Sequence, residues 1–408
     1  MTIFVGTRAA GLEAMQAFED RMGLRYEQGR NYDNGPGRHT DVSLLSPYIR
    51  RRLITEREVV AAALKAHGPK AASKFVEEVI WRGYYKGWLE RRPQIWRSYI
   101  AGRDADYAAL KRDRRLRRDI ELAETGQTGL DYFDSWAREL VDTGYLHNHA
   151  RMWFASIWIF TLKLPWRLGA DFFYRHLLDG DAAANTLNWR WAAGLHTRGK
   201  PYPAQRDNIE TFTGGRFKPA KGELADVVRG LEASEPDGLP PVQPLRDIAP
   251  AKPNVRTAIL ITDEDCCVED FDLSTFDVRA VASLTASALR SPRSVSDAVS
   301  EFEDQAVQDA GARLNFKTQR LQANDPSVLA DWASTAKADQ IFTPYISYGP
   351  LRDWLNAATP ILSARGITLC EQRRDWDTAI WPHATAGFFK VKKQIPRILD
   401  QMMGNVLV

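Results

Sequence analysis

The chain has 408 residues, of which 44% are hydrophobic and 26% are charged, and its net charge is +3. These values indicate a folded, soluble protein of about two or three domains, and the net charge is too small to indicate a partner. Three cysteines are too few for a disulfide framework, no apolar run reaches the roughly 18 residues of a membrane span, and the N-terminus shows no secretion-signal pattern. We therefore expect a cytoplasmic protein.

Residues 1–231 are predicted to form an all-helical domain. Apolar residues recur at helical spacing in REVVAAALKAHG, KFVEEVIWRGYYKGWL, YFDSWARELVDTGYL and ARMWFASIWIFTLKL, and no convincing strand pattern lies among them. Residues 232–255 contain six prolines, which are too many for a helix or a central strand. We expect this segment to be a linker between domains.

Residues 256–408 alternate between buried strand patterns and helix patterns. TAILITDED, VRAVASL, DQIFTPY and ITLCEQRR predict strands, and the segments that begin SVSDAV, VLADWA and PLRDWL predict helices. This alternation predicts a small, Rossmann-like α/β domain with a parallel sheet. No glycine-rich loop follows the first strand, so a nucleotide-binding role for this domain has little support.

The most informative pattern lies in residues 143–191. Asn148, Arg151 and Met152 share one face of a predicted helix, and a DGD turn, an asparagine and two tryptophans follow. Polar residues this close to indole rings suit a buried planar cofactor better than an ordinary core. Upstream and in order stand the segments YEQGRNY, VSLLSPYIRRRLIT and FVEEVIWRGYYKGWL. Together these motifs resemble the flavin domain of the photolyase and cryptochrome family.

The resemblance implies a particular fold and an FAD cofactor. The fold class is α plus α/β: an all-helical photolyase-type FAD-binding domain, followed by an α/β domain that resembles the antenna domain found before the flavin domain in ordinary photolyases. Serine hydroxyls and backbone amides at the start of a helix would meet the FAD pyrophosphate. The set implied to bind FAD is Tyr26, Val42, Ser43, Leu44, Leu45, Ser46, Phe75, Arg82, Asn148, Arg151, Asp179, Gly180, Asp181 and Asn185.

Within that set the resemblance implies distinct roles. Asp179 would pair with Arg151 beside the isoalloxazine ring, Asp181 would accept a hydrogen bond from its imide edge, and Asn185 would face N5. Without the resemblance, the DGD turn would be a turn or a weak metal site. We expect no metal ion.

The resemblance also implies the lesion. Family members that act on cyclobutane dimers have asparagine and methionine at the positions of Asn148 and Met152, whereas the (6-4) branch has histidine at both. Glu78 would hydrogen-bond the damaged bases, although an amphipathic helix with a Glu78–Arg82 pair is the simpler interpretation. The residues implied to be catalytic are Glu78, Asn148, Met152 and Asn185. Those implied to bind substrate are Arg30, Glu78, Trp81, Tyr85, Asn148, His149, Met152 and Trp191.

Trp166 and Trp189 match the two inner members of the family's electron-transfer chain. At the third position the spacing points to about Asp113, where no aromatic residue stands. The chain is therefore incomplete or rerouted. The residues available for a new route are Trp136, Trp153 and Trp158.

The segments that contact DNA in the family, around 149 and 203–217, diverge here, while the flavin motifs are nearly intact. Single-stranded DNA requires only a basic track and a stacking surface, so we expect damaged DNA, including its single-stranded form, as the partner of a monomeric protein. Arginine-rich KRDRRLRRD at 111–119 is either a solvated face or a further DNA contact. The basic residues expected around the pocket are Arg30, Arg51, Arg52, Arg82 and Lys86.

The sequence thus predicts a deoxyribodipyrimidine photo-lyase that splits cyclobutane pyrimidine dimers with photoexcited reduced FAD. The alternative is a cryptochrome-like blue-light photoreceptor that binds FAD without repair activity, and a third class is a redox flavoprotein with no light role. The α/β domain either holds an antenna chromophore or only buries one side of the flavin domain.

Overall fold

The computed structural model describes residues 4–404, and the first part of this range is helical. Its α-helices are α1 (Arg8–Phe18), α2 (Leu24–Gly29), α3 (Ser46–Arg50), α4 (Glu56–Ala71), α5 (Ser73–Glu90), α6 (Pro93–Leu110), α7 (Arg114–Glu124), α8 (Asp131–Thr143), α9 (Asn148–Ser156), α10 (Trp166–His176), α11 (Ala182–Ala192) and α12 (Arg206–Phe212). A π-helical turn, Ile157–Thr161, extends α9.

The later part of the chain alternates strands and helices. In chain order these are β1 (Arg256–Thr262), β2 (Asp277–Thr285), α13 (Asp297–Arg313), β3 (Thr318–Gln322), α14 (Ser327–Thr335), β4 (Gln340–Pro344), α15 (Pro350–Ala364), β5 (Thr368–Gln372), α16 (Asp375–Ile380), α17 (Phe389–Lys392) and α18 (Ile395–Met403). The strands pair in parallel in the order β3-β2-β1-β4-β5. The predicted α plus α/β class is confirmed.

Strand β3 is missing from the sequence-based prediction. Its sequence, TQRLQ, contains one buried residue, Leu321, because the strand lies at the edge of the sheet and its other side chains are largely accessible. A strand of this kind has no apolar run by which to recognise it.

The chain divides into two compact units, and the division differs from the predicted domains. One unit comprises residues 25–42 and 92–242; the other comprises residues 4–24, 43–91 and the chain from 243 onwards. Helices α3 to α5 thus belong to the same unit as the sheet. The segment 232–255 has one short 3-10 turn, Glu232–Ser234, and otherwise neither helix nor strand. The predicted boundaries at 231 and 256 stay a prediction.

Each unit has its own core. In the helical unit the core is aromatic, because indole and phenyl rings of α8 to α11 pack on one another, such as Phe133 on Phe154 at 4.2 Å between ring centroids. In the other unit an aliphatic core of strand and helix residues fills the space around β1 and β4. Among the described residues no helix is both long and apolar enough to span a membrane.

Candidate functional site

The predicted flavin residues divide between the two compact units. In the helical unit, α9 begins at Asn148 because the His147 side chain caps it: its Nδ1 accepts a hydrogen bond from the His149 backbone N–H at 3.2 Å. Asn148 is exposed at this helix start. Met152, one turn further along the helix, is half-buried. Both residues are therefore accessible to a ligand from solution.

The predicted pair between Arg151 and Asp179 is present. Arg151 Nη2 lies 3.1 Å from Asp179 Oδ2, and Arg151 Nε donates to the carbonyl oxygen of Leu146 at 2.8 Å. The Asp179 side chain is 5% exposed and that of Arg151 22%. The guanidinium also lies over the Tyr145 ring, 5.6 Å from its centroid. These contacts hold Arg151 in one orientation.

Asp181 and Asn185 flank the start of α11. Asp181 is the N-cap, and its Oδ1 accepts from the Ala184 backbone N–H at 2.8 Å, a contact that stabilises the helix start. Asn185 is buried, and its Nδ2 donates to the carbonyl oxygen of Ala170 on α10 at 2.7 Å. Gly180 lies in the turn that separates the two carboxylates. The DGD sequence therefore forms a helix cap.

The predicted electron-transfer tryptophans are both buried in this unit. The Trp166 ring lies 5.9 Å from that of Tyr99. The Trp189 ring lies 6.2 Å from that of Trp158, edge to face. Gly169 permits this packing, because a Cβ there would lie 2.3 Å from an atom of Trp189 and 2.9 Å from one of Trp158. Trp158 is thus one of the three predicted alternatives and is in contact with the inner member.

The other two alternatives pack against each other. Trp136 and Trp153 stack with their centroids 5.4 Å apart, and His149 stacks on Trp153 at 4.2 Å. The His149 Nδ1 lies 3.0 Å from the carbonyl oxygen of Asn31. Burial is the main cause that lowers the pKa of His149. The ring is therefore neutral near pH 7, and a neutral ring suits packing better than phosphate binding.

Sequence reasoning missed a buried polar cluster beside the start of α9. His39 Nε2 lies 2.9 Å from Glu139 Oε1, and the His39 ring stacks on that of His147. Asp33 accepts from Arg216 at 2.6 Å and from the Trp136 indole at 2.9 Å. Burial lowers the pKa of His147 to about 3 and raises that of Glu139. Ligand atoms of Asp33, His39 and Glu139 lie within 4.8 Å of one another, which would admit a cation. However, Arg216 already neutralises Asp33.

The remaining predicted residues of the helical unit lie near solvent. Tyr26 on α2, Arg30 just after that helix, and Val42 are half-buried. Trp191 on α11 is also half-buried, and its ring stacks on that of Tyr202 with 5.1 Å between centroids.

The predicted phosphate segment belongs to the unit that contains the sheet. Ser43 Oγ accepts from the Leu45 backbone N–H at 3.4 Å, and Leu44 has a φ of 54°, a left-handed conformation that is strained for leucine. Ser46 opens α3, which has only five residues. Because the dipole of so short a helix is small, serine hydroxyls and turn amides would provide most of any phosphate contact.

Helix α5 carries the remaining predicted residues. Phe75 is buried, whereas Glu78, Arg82 and Tyr85 are half-buried. The Glu78 carboxylate lies 2.8 Å from Lys74 Nζ, one turn earlier. Burial raises the pKa of the Tyr85 hydroxyl above its ordinary value, so this group stays protonated.

Trp81 has a neighbour that the sequence did not reveal. The Phe388 ring stacks on its indole with 3.8 Å between centroids and 12° between planes. One face of Trp81 is therefore covered by the segment that follows the sheet. A base that packs against Trp81 must use the rest of the indole or displace Phe388.

Three of the basic residues expected around the pocket are buried, which is a correction. Arg51 is 0% and Arg52 4% exposed, and Arg52 Nη2 lies 2.7 Å from Asp377 Oδ1. Lys86 Nζ lies 3.2 Å from Glu264. A buried cation needs a fixed counter-charge, which Asp377 supplies to Arg52 and Glu264 to Lys86, while Arg51 Nε lies 3.8 Å from Asp263. Arg51, Arg52 and Lys86 are internal to this unit, so they are not accessible to DNA phosphates from solution.

The match with known proteins covers the helical part of the chain. Residues 75–213 match the family described as the FAD binding domain of DNA photolyase. The deoxyribodipyrimidine photo-lyase of Streptomyces griseus is 33% identical over 236 residues, which is 57% of this chain and 48% of that protein. The same enzyme from a strain of Thermus thermophilus is 33% identical over 201 residues, 47% of this chain and 44% of that protein. The chain thus spans about half the length of these curated relatives.

A solved structure is also similar in part. A bacterial class III photolyase from Agrobacterium tumefaciens is 27% identical and covers 51% of this chain and 43% of its own, with a TM-score of 0.43. The predicted photolyase and cryptochrome resemblance and the FAD cofactor are confirmed by the sequence matches. The roles of individual residues stay predictions.

Proposed function

We propose that this protein uses light to split cyclobutane pyrimidine dimers in DNA, because its residues 75–213 match the family described as the FAD binding domain of DNA photolyase. The observation that carries the proposal is the pair of half-buried Arg151 with buried Asp179, with Asp181 and Asn185 on the adjoining turn and helix. A guanidinium, two carboxylates and an amide provide donors and acceptors that suit the polar edge of a flavin ring.

FAD, when bound in its reduced form and excited by light, supplies the electron that splits the dimer. Arg151 would place positive charge beside the ring, and Asp179 would keep the guanidinium oriented. Asp181 is held at the helix start by its capping bond, so its carboxylate is fixed where an imide N–H would donate to it. Ser43 and Ser46 would bind the pyrophosphate.

The orientation of the Asn185 amide follows from its partner. Its Nδ2 donates to a carbonyl oxygen, which has no proton to donate in return, so Oδ1 is the atom that would accept from a protonated flavin N5. A neutral amide does not deliver a proton there as a carboxylic acid does. This favours a flavin that works in the fully reduced state.

The resemblance assigns lesion contacts to residues of α9 in the helical unit and, separately, to residues of α5 in the other unit. The exposed Asn148 and half-buried Met152 offer an amide and a soft apolar surface to the damaged bases. Glu78 would accept a hydrogen bond from a pyrimidine N–H, and Trp81 would pack against the bases. A flipped base costs a few kcal/mol to expose, and less when it is damaged, which gives part of the selectivity.

Electrons for photoreduction of the flavin would reach it through Trp189. The edge-to-face contact with Trp158, at 6.2 Å, offers an onward route that does not need an aromatic residue at position 113. We propose Trp158 as the replacement for the missing outer member, with Trp166 and Trp189 as the two inner members.

The decisive experiment illuminates the purified protein with a reductant and an oligonucleotide that contains one thymine dimer. We expect dimer loss that requires light, and repair of the single-stranded form at least as good as that of the duplex at matched salt. Glu78→Gln should retain the flavin absorbance and lower repair about 10-fold or more, which corresponds to about 1.4 kcal/mol. Glu13→Gln, an exposed carboxylate on α1, is the matched control.

The stacking of Phe388 on Trp81 gives the photoreceptor alternative its specific support, because a covered lesion face suits a protein that does not repair DNA. Photoreduction of bound FAD without dimer loss would favour that alternative. Equal repair by Glu78→Gln and wild type would show that Glu78 serves only the helix. A protein that takes up no FAD would contradict the proposal as a whole.

A further inference from the structure

Residues 384–397, which we call the C-terminal segment, lie along one face of α5. Phe388 stacks on Trp81, the Tyr84 hydroxyl donates to the carbonyl oxygen of Ala386 at 3.0 Å, and Lys392 Nζ lies 2.7 Å from Glu77. Glu77, Trp81 and Tyr84 stand at i, i+4 and i+7, so these contacts follow one stripe of the helix. The segment is therefore attached at several points beside the tryptophan that we propose contacts the lesion.

The outer side of the C-terminal segment combines an aromatic ring with positive charge. Phe389 is 76% exposed, more than any other large apolar side chain in residues 4–404. Lys390, Lys393 and Arg397 are also exposed. The sequence contains no carboxylate between Asp377 and Asp400. The positive charge of the C-terminal segment is therefore offset by carboxylates of other segments, such as Glu77 on α5.

These cations lie close enough to act on one group. The pKa of His383 is lowered, first by its burial and then by the positive charges of Arg397, Lys390 and Arg91. Lys390 Nζ also donates to Thr385 Oγ1 at 2.7 Å, which holds it beside the same turn. Lys390 and Arg397 therefore both act on His383, and Lys393 ends the short helix α17 that begins at Phe389.

An exposed phenyl ring followed by exposed lysines matches the needs of single-stranded DNA. Every base has a π-face that can stack on an aromatic ring, and the phosphates between bases require flexible cations without sequence preference. In duplex DNA the base faces are already stacked. The C-terminal segment is continuous with Trp81 through the Phe388 stack, so a strand bound there would run past the proposed lesion contact.

We propose that the C-terminal segment is a contact surface for single-stranded DNA, in which Phe389 stacks on an unpaired base and Lys390, Lys393 and Arg397 bind phosphates. The choice of DNA as the partner rests on the proposed function. In this arrangement Phe388 is the anchor that fixes the segment to α5, and Phe389 is the residue that meets the strand. The surface would supply DNA contacts in a protein whose segments around 149 and 203–217 differ from those of the family it resembles.

The test measures binding of a fluorescent, lesion-free oligothymidine to the full-length protein by anisotropy over a range of salt concentrations. Phe389→Ala should weaken binding about 5-fold or more at low salt, because one base loses its stacking partner. The double variant Lys390→Gln/Lys393→Gln should reduce the slope of log Kd against log salt by about 1.4, since each phosphate contact on a single strand contributes about 0.7.

Matched controls lie elsewhere in the same unit. Phe316 is 47% exposed and precedes Lys317 in sequence, so Phe316→Ala removes a comparable ring. Lys317→Gln/Lys337→Gln removes the same charge from two exposed positions. Both controls should bind oligothymidine like wild type. All of the substituted side chains are exposed, so circular dichroism should show every variant folded.

Dimer repair is measured on the same samples at saturating DNA, which separates this inference from the proposed function. The Phe389 and lysine variants could lose oligothymidine binding while the wild-type protein repairs no dimer. This result would support the proposed DNA contact surface and contradict the proposed repair activity. If both variants repair dimers normally and bind oligothymidine with the wild-type affinity and salt slope, the proposed DNA contact surface is overturned. Wild-type DNA affinity combined with Phe389-dependent self-association would likewise overturn it and identify a protein contact.

Discussion

Replacing Asp179 with asparagine tests the central element of the proposed flavin site. The substitution keeps the size of the side chain and removes the charge that faces Arg151 at 3.1 Å. Breaking a buried ion pair costs about 3–5 kcal/mol when the remaining charge stays buried. Arg151 is 22% exposed and keeps its hydrogen bond to Leu146. We therefore expect a cost at or just below the lower end of this range, about 2–3 kcal/mol.

This loss should divide between the stability of the apoprotein and its affinity for FAD, so both are measured. If it falls wholly on binding, the Kd for FAD rises about 30- to 150-fold, since 1.4 kcal/mol is about tenfold. The assays are FAD content by absorbance after dialysis, Kd by flavin fluorescence titration, and unfolding of the apoprotein in urea. Asp142→Asn, which changes an exposed carboxylate at the end of α8, is the control.

Wild-type FAD content, affinity and stability in Asp179→Asn would refute the assignment of this pair to the flavin site. Lower stability with unchanged FAD affinity would assign the pair to the fold alone. Only a loss of affinity beyond that of Asp142→Asn supports a direct role in holding the ring.

Three further predictions concern stability and reactivity. Asp377→Ala should lower the free energy of unfolding by about 2–3 kcal/mol in urea denaturation, whereas the exposed Asp400→Ala should change little. The substitution removes the nearest partner of the buried Arg52, but Glu56 at 3.2 Å and Asp265 at 3.3 Å still balance part of its charge. Burial lowers the pKa of His196 from 6.5 to about 4, so the unfolded chain takes up a proton before the folded one does. The free energy of unfolding should therefore fall as pH drops from 6.5 to 4. In denaturant titrations at several pH values, His196→Gln should make this fall smaller. All three cysteine thiols are buried with raised pKa, so a disulfide reagent such as DTNB should label them only after unfolding; rapid labelling of the native protein would contradict this.

Local sequence patterns were sufficient for most of the architecture. Apolar residues at helical spacing marked helices such as α4, α5 and α8, and short buried runs marked β1, β2, β4 and β5. Both signals depend on residues within a few positions of one another in sequence, so they can be recognised without knowledge of the fold. Strand β3 gave no such signal, because it buries only Leu321, whereas β5 at the opposite edge buries two adjacent residues.

The family resemblance supplied the helical half of the candidate site. It implied the pair of Arg151 with Asp179, which the structure contains at 3.1 Å. It also named Asp181 and Asn185, which the structure places at the start of α11, and their roles toward a flavin stay predictions.

Only the tertiary structure decided which cations are available and which ring covers Trp81. In sequence, Arg52 and Lys86 belong to a basic region near the predicted pocket, but their partners Asp377 and Glu264 come from the α/β part, well over a hundred residues later. Phe388 reaches Trp81 across a similar separation. Contacts of this kind leave no periodic trace, because they depend on how distant elements pack and bury their charges together.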